Sequence, residues 1–463
     1  MKSSRIKFVF LFLLLIFIFD VFVYADSAED ITSGANIRGI GINIEKITDN
    51  IISTRSSGEN VSVSIISDIP MGGIYIIYDG IPSGGKLNGV TDIAKNGFMH
   101  EYVELGGETQ AVISFDKTSI CDIRVFSTGV LPDDVQRWQK GEDDTDLLLC
   151  ATHSDDDQLF FAGLLPYYAG HIGANVRVAY FINHFDTYNR THELLDALWH
   201  CGVRNYPDIS PFPDVYSESA SDAELYLKNR GFTYEDVLSF QRKLLEKYNP
   251  LVVVLHDFDG EYGHGAHMLN AKSFIEVCEN SSENQYIPEK IYVHLYNVAP
   301  ITLELDEPLD IFGGKSAFQV SQEAFGFHKS QHWTWFYEWI YGKNSDITKA
   351  SQIRNYNPCR YGLYYSSVGE DIYKNDILEN IETYGVRRQK EIELAELQRI
   401  ELEEKRDIMR KDIPDTQILS EDIDEKNTDE HEEYSDNTKN ELFVFFVIAF
   451  FSILFIINCK KRR

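Results

Sequence analysis

Leu147-Leu148-Leu149-Cys150-Ala151, followed at once by Thr152-His153-Ser154-Asp155-Asp156-Asp157, decides the fold. The first five residues are a short unbroken apolar run, the signature of a strand covered on both faces. Further runs of the same kind fall at 176–182, 251–255 and 291–295, and amphipathic stretches such as 190–201 and 234–248 lie between them. Buried strands that alternate with helices predict an α/β fold: a Rossmann-like, doubly wound, mostly parallel sheet over 145–370. In such a sheet ligands bind beyond the carboxyl ends of the strands, so the residues that follow each strand are the place to look for chemistry.

Two polar clusters occupy that place. One is His153-Ser154-Asp155-Asp156-Asp157. The other follows the run at 251–255: His256-Asp257-Phe258-Asp259-Gly260-Glu261-Tyr262-Gly263-His264-Gly265-Ala266-His267. A catalytic zinc takes three protein ligands from His, Asp or Glu and leaves one position for water. His153, Asp156 and His267 supply two imidazoles and one carboxylate for Zn2+, and Asp155 is left free to take a proton from the water. An ordinary helix cap would account for the aspartates alone, since Asp is favoured there. Two such clusters, each after a buried strand, point to a metal site instead.

His153-Ser154-Asp155-Asp156-Asp157 resembles the His-Pro-Asp-Asp-Glu signature of the PIG-L/LmbE zinc-dependent N-acetylglucosaminyl deacetylases. Tyr262-Gly263-His264-Gly265-Ala266-His267 resembles their second motif, Tyr-Gly-His-x-x-His. Arg190-Thr191-His192-Glu193, His328-Lys329-Ser330-Gln331 and Tyr361-Gly362-Leu363-Tyr364 extend the likeness over about 145–370. The resemblance implies zinc on His153, Asp156 and His267, with Asp155 as general base. It gives His264 the role of stabilising or protonating the tetrahedral intermediate, and Tyr262 that of assisting at the oxyanion. The implied reaction is hydrolysis of the acetamide of an N-acetylglucosamine-type sugar. Ser154 and Asp157 depart from the family pattern at positions that are not ligands. Ala266 stands where an aspartate is frequent, which leaves the partner of the second histidine open among Asp257, Asp259 and Glu261. His184 and Asp186 follow the second strand and either line the crevice or lie in a solvated loop. Arg190 either meets a substrate oxygen or pairs with Glu193. Trp333, Trp335 and Tyr337 alternate as a sugar-stacking platform or a packed aromatic patch.

Outside this core, residues 30–140 carry short β-branched and aromatic runs at 61–66, 73–78, 111–115 and 122–126, separated by Gly, Pro and Asp turns; they predict a small β-rich, sandwich-like domain. Lys2, Arg5 and Lys7 precede an apolar run over 8–19, and residues 1–25 read as a signal peptide. Residues 371–411 read as a charged helix and 412–441 as an acidic stalk. The apolar stretch 442–458 reads as a transmembrane helix, with the basic tail 459–463 cytoplasmic. From 401 to 441 the chain has 16 acidic and 6 basic residues, and the net charge of −30 argues against nucleic acid as a partner. Six cysteines without CxxC spacing give no zinc ribbon, and five of them precede the apolar stretch, an odd number for disulfide pairing. The expected protein is single-pass and membrane-anchored, with its catalytic domain extracytoplasmic and an N-acetylated amino-sugar glycan or glycolipid as substrate. The alternatives are a non-catalytic surface glycan-binding protein and a metal-dependent hydrolase of another amide or ester.

Overall fold

The structure, a computed structural model, describes residues 26–411 apart from 142, 143, 215 and 281–284. The N-terminal part forms a sheet of β1 (Asn36–Ile40), β2 (Ser56–Tyr78), β3 (Gly85–Leu87), β4 (Thr91–Ile93) and β5 (His100–Ser127), in the order β1-β2-β5-β3-β4. The four short runs of the sequence are thus two long strands. Ser56 faces Ile120 and Ile66 faces Gln110; further on, Ile74 faces both Val103 and Val125. Gly72-Gly73 and Gly106-Gly107 lie within the strands, where glycine permits a sharp change of direction. Val61, Val63 and Ile65 from one half of β2 share a buried cluster with Ile74 and Ile76 from the other half, so the strands fold over onto their own core.

The second sheet is built on β6 (Leu147–Ala151), β7 (Val176–Tyr180), β8 (Asp208–Ile209), β9 (Val252–Leu255) and β10 (Lys290–His294), all parallel to their neighbours. β11 (Pro300–Thr302) and β14 (Arg360–Ser366) add an antiparallel edge, giving the order β11-β14-β10-β9-β6-β7-β8. A two-stranded ribbon, β12 (Pro308–Leu309) and β13 (Lys315–Ser316), stands apart. The fold is mixed α/β. Alternate residues of each central strand enter different cores. Leu147, Leu149, Val252 and Val254 pack with Leu194, Leu198, Phe318 and Phe325. Leu148, Cys150, Val253 and Leu255 pack with Leu244, Leu245, Phe274 and Ile275. Both faces are covered, which is why the strand sequences are mostly apolar, with buried Arg177 in β7 and Lys290 and His294 in β10 as exceptions.

The helices are α1 (Tyr188–His200), α2 (Ala220–Asn229), α3 (Tyr234–Tyr248), α4 (Gly265–Glu279), α5 (Ala317–Phe325), α6 (Trp335–Tyr341) and α7 (Tyr384–Lys411). α3 shows how the sequence sets its ends. Thr233 and Asp236 form a reciprocal capping box, and Asn249 closes the helix in the left-handed region at φ 41°. The expected charged helix begins at Tyr384 rather than 371. The intervening chain is pinned to the body: Asp371 pairs with buried Lys290, Asp376 accepts from Tyr168 at 2.9 Å, and Ile377 is buried.

A buried hydrogen-bond chain ties the N-terminal sheet to helix α1. Tyr75 Oη lies 2.7 Å from His100 Nδ1, and His100 Nε2 lies 2.8 Å from His192 Nδ1 on α1; His192 Nε2 in turn faces Cys121 Sγ at 4.0 Å. Burial raises the Tyr75 hydroxyl well above its ordinary pKa, so it donates, and the chain of neutral donors runs from tyrosine to thiol. Cys121, Cys150, Cys201, Cys278 and Cys359 are all free and buried. The expected signal peptide, stalk, membrane helix and basic tail lie outside the described residues. Among the described residues, no helix is long and apolar enough to cross a membrane.

Candidate metal centre

β6 and β9 are adjacent and parallel, so the segments that follow them emerge side by side. The chain after β6 turns tightly at 152–163. Asp156 folds back so that its Oδ2 accepts the backbone N–H groups of His153 at 2.6 Å and Thr152 at 3.2 Å. The chain after β9 makes a turn in which Gly260, Tyr262 and Gly263 all have positive φ, at 67°, 48° and 77°. Non-glycine residues rarely adopt this conformation, and in Tyr262 it is held by the turn around it. α4 then starts at Gly265, with the His264 side chain capping it by accepting from Ala266 N–H at 3.2 Å.

The residues expected to act together do meet. His153 Nδ1, Asp156 Oδ2 and His267 Nε2 stand 3.1, 3.3 and 3.4 Å from one another, in a buried pocket. Donor atoms around a tetrahedral zinc with bonds of about 2.1 Å are separated by roughly 3.4 Å, so this tripod has the spacing the metal needs. His264 forms a second possible donor group with His153 and His267, and His256 another with Asp156 and His267. The electrostatics agree with the geometry. Burial alone would keep His153 uncharged, yet Asp156 and Asp214 raise its pKa to about 10: the pocket is built to receive positive charge. Burial likewise opposes the charged form of Asp156, but His267 and His153 hold it well below the usual carboxylate range.

Glu261 supplies the orienting carboxylate left open by Ala266. It is fully buried, and it accepts from His256 Nδ1 at 2.7 Å, His267 Nδ1 at 2.6 Å and His294 Nδ1 at 2.6 Å. A carboxylate only accepts, so all three rings carry their proton on Nδ1, and the lone pair of His267 Nε2 faces Asp156 and His153. Asp257 is only partly buried and Asp259 is exposed; neither touches His267 among the described contacts.

Asp155 is buried beside the tripod. One of its oxygens lies 3.5 Å from Arg190 Nη2, and the other has no hydrogen-bond partner among the described residues. Burial raises its pKa to about 6 against the pull of Arg190. Arg190 turns away from Glu193 and towards the site, 3.7 Å from Asp214 Oδ2 and 3.1 Å from His184 Nδ1. Glu193 instead accepts from Ser330 N–H at 3.0 Å. His184 is buried and lines the crevice, with its ring 6.2 Å from that of His153, whereas Asp186 is exposed. Both nitrogens of buried His328 lack a partner among the described residues. The Tyr262 ring lies 5.4 Å from that of His264 and 5.7 Å from that of His267, and burial raises its hydroxyl pKa far above the ordinary value, keeping it protonated.

Four residues of this centre escape a local reading of the sequence. His256 directly follows β9 and His294 ends β10, so the strand-end rule marks both places. Glu261 sits inside the second cluster, but its role depends on the turn. Asp214, 3.5 Å from His153 Nε2, comes from a loop beyond β8 and carries no local signal.

The sequence matches no family model and no curated protein. Three solved structures resemble parts of it. The 4-carboxy-2-hydroxymuconate hydratase GalB from Pseudomonas putida is 16% identical, with 49% of this chain and 99% of that chain aligned at a TM-score of 0.31. The conserved protein TT1542 from Thermus thermophilus is 13% identical, covering 50% and 97%, at 0.33. The N,N'-diacetylchitobiose deacetylase from Pyrococcus horikoshii is 16% identical, covering 48% and 84%, at 0.33.

Proposed function

We propose that this protein is a zinc-dependent hydrolase that removes the acetyl group from an N-acetylglucosamine-type sugar. One observation carries the proposal. The three donor atoms of His153, Asp156 and His267 converge at metal-binding spacing beside Asp155, a buried carboxylate with one oxygen free of partners. The motifs that supply these residues are those that resemble the PIG-L/LmbE deacetylases.

Bound zinc supplies Lewis acidity, bringing the ionisation of water near neutral pH. The protein supplies the proton traffic. The free oxygen of Asp155 accepts the proton of the attacking water and returns it to the departing amine nitrogen, which cannot leave as an amide anion. Arg190 fixes the other oxygen and so aims the free one. His264 accepts from Ala266 N–H at Nδ1, so its own proton sits on Nε2 and faces the developing oxyanion. Tyr262 adds a hydroxyl donor close by. His267 is held in register by Glu261, and His153 by Asp214.

The proposed location is the outer side of a membrane, with one C-terminal anchor. It is supported by the basic-then-apolar start and the apolar-then-basic end of the sequence. The test of the chemistry is zinc content and acetate release by the full chain on N-acetylglucosamine compounds, beside Asp155→Asn. Zinc retained with acetate release lost in the variant is the expected result. Native protein that binds zinc but releases no acetate from any amino sugar would overturn the substrate assignment. Native protein without zinc would overturn the centre itself.

A further inference from the structure

A line of rings leads out of the metal centre to solvent. From the inside outwards, the His264 ring is 5.4 Å from Tyr262, and Tyr262 is 5.6 Å from Trp335, edge to face. His264 also meets Tyr216 at 5.3 Å. The inner members are covered, but the ends are not: Trp335 is 47% exposed and Tyr216 67%; Trp333, two residues before Trp335 in the chain, is 84% exposed. Trp335 is fixed by packing, with Phe336 at 4.3 Å and Trp339 at 6.2 Å, so its exposed ring surface is held in place. Exposed, fixed aromatic surface that continues from a reaction centre marks a binding surface rather than a core.

The chemistry of the surface selects its occupant. The exposed positions are Trp and Tyr, which offer a flat apolar face and one polar tip. The aliphatic residue of α6, Ile340, is fully buried, so this helix presents no aliphatic side chain to an acyl chain. From His332 to Tyr341 there is no lysine or arginine, and Glu338 is exposed there. A phosphorylated lipid headgroup would find no cation on this stretch, whereas a neutral pyranose, with its C–H face and ring of hydroxyls, matches both the rings and their polar tips.

We propose that Trp335, extended by Trp333, forms a subsite for a neutral sugar residue next to the one held at the metal centre, so that the substrate is a glycan chain of at least two residues rather than a single sugar or a phosphorylated glycolipid. The proposal rests on the deacetylase assignment above and specifies its substrate class. A sugar C–H face laid on an aromatic ring removes apolar area from water, and the expected gain is roughly threefold to tenfold in affinity per ring, equivalent to about 0.7–1.4 kcal/mol.

The test compares kcat/KM for acetate release from N-acetylglucosamine and from its β-linked dimer, trimer and pentamer, using the zinc-loaded full chain. In parallel, quenching of tryptophan fluorescence by the same sugars is followed in Asp155→Asn. The expected result is a ratio of trimer to monomer of roughly tenfold or more, carried by KM. Trp335→Ala with Trp333→Ala should bring that ratio below about threefold, and Trp335→Phe should restore most of it. Quenching should strengthen with chain length in Asp155→Asn and be lost in its Trp335→Phe, Trp333→Phe derivative. Deacetylation of all lengths with equal kcat/KM, or a length preference that survives loss of both tryptophans, overturns the subsite and leaves the deacetylase standing. Length-dependent quenching without acetate release sustains the subsite and overturns the deacetylase. Neither quenching nor acetate release overturns both.

Discussion

Two buried groups of histidines sit in this molecule, one among carboxylates and one without them. His153, His256, His267 and His294 surround two buried carboxylates, Asp156 and Glu261. His100 and His192 lie between a phenol and a thiol. In the first group the carboxylates overcome burial at His153, held up to about 10, and at His256, held up to about 9, whereas burial still prevails at His267 and lowers it. In the second, burial acts with no anion in contact to oppose it, His100 is pushed well below its ordinary value, and His192 falls to about 4. Depth is shared, but only where a carboxylate is buried alongside can an imidazole gain charge against burial, as His153 and His256 do. The first group is arranged to hold a cation. The second is a neutral chain of hydrogen bonds that ties the N-terminal sheet to the helix bearing Arg190.

The strongest way to break the contrast is at the carboxylate. Asp156→Ala, like His267→Ala, is expected to remove bound zinc and acetate release together, measured by metal analysis and acetate assay. Asp155→Asn should keep the zinc and lower kcat about 10²–10⁴-fold, the usual worth of general acid–base catalysis. Glu261→Gln leaves the donor atoms in place but loosens the rings that Glu261 orients, and zinc affinity should fall about 10–100-fold in chelator competition. None of these changes should alter the link between the N-terminal sheet and α1.

The neutral chain is expected to respond differently. His192→Leu strands His100 without its acceptor and should cost about 1–3 kcal/mol in urea unfolding, with zinc content unchanged. Replacing His100 and His192 together by leucine should cost less than the sum of the single changes, because the double change leaves the Tyr75 hydroxyl without its acceptor but strands neither histidine. A double replacement as costly as the sum would mean that the chain does not act as a unit.

The smallest effect is in the pH dependence of the melting temperature. The folded pKa of His192 lies below its unfolded value of about 6.5, so the unfolded chain binds more protons between them. Its contribution to stability is complete above pH 6.5 and is lost as the pH falls towards about 4. Asp196, on the same helix, has the opposite sign. Burial raises it to about 7 despite the hydrogen bond from Gln136, so its contribution is lost as the pH rises from near 4 towards 7. Each slope is expected to shift the melting temperature by roughly a few degrees. Removal of His192 should flatten the acid side, and Asp196→Asn the neutral side.

How much of this was legible in the sequence follows from how far apart the partners lie. Leu147–Ala151 and His153 to Asp157 are consecutive, and their strand and polar cluster can be read directly. His264 and His267 lie on one short stretch, and the strand-end rule brings it to Asp156. Glu261 was visible as one of three acids, but only the positive φ of Gly260, Tyr262 and Gly263 turns it under the histidines. Asp214 and His294 come from other strand ends, and the pairing of His100 with His192 requires the N-terminal sheet to meet α1. In the N-terminal region the sequence shows four short runs, whereas the chain between them stays in the sheet and joins them into two long strands.

Glu261 serves His256 at the end of a strand and His267 in the first turn of a helix. The stretch between those two histidines is therefore a ruler. A chain with one residue more or one fewer between them could place its carboxylate or its helix correctly, but not both. Length variation should be tolerated at the rim around Trp333 and forbidden between 256 and 267, even where the inserted residue is a glycine that any turn would accept.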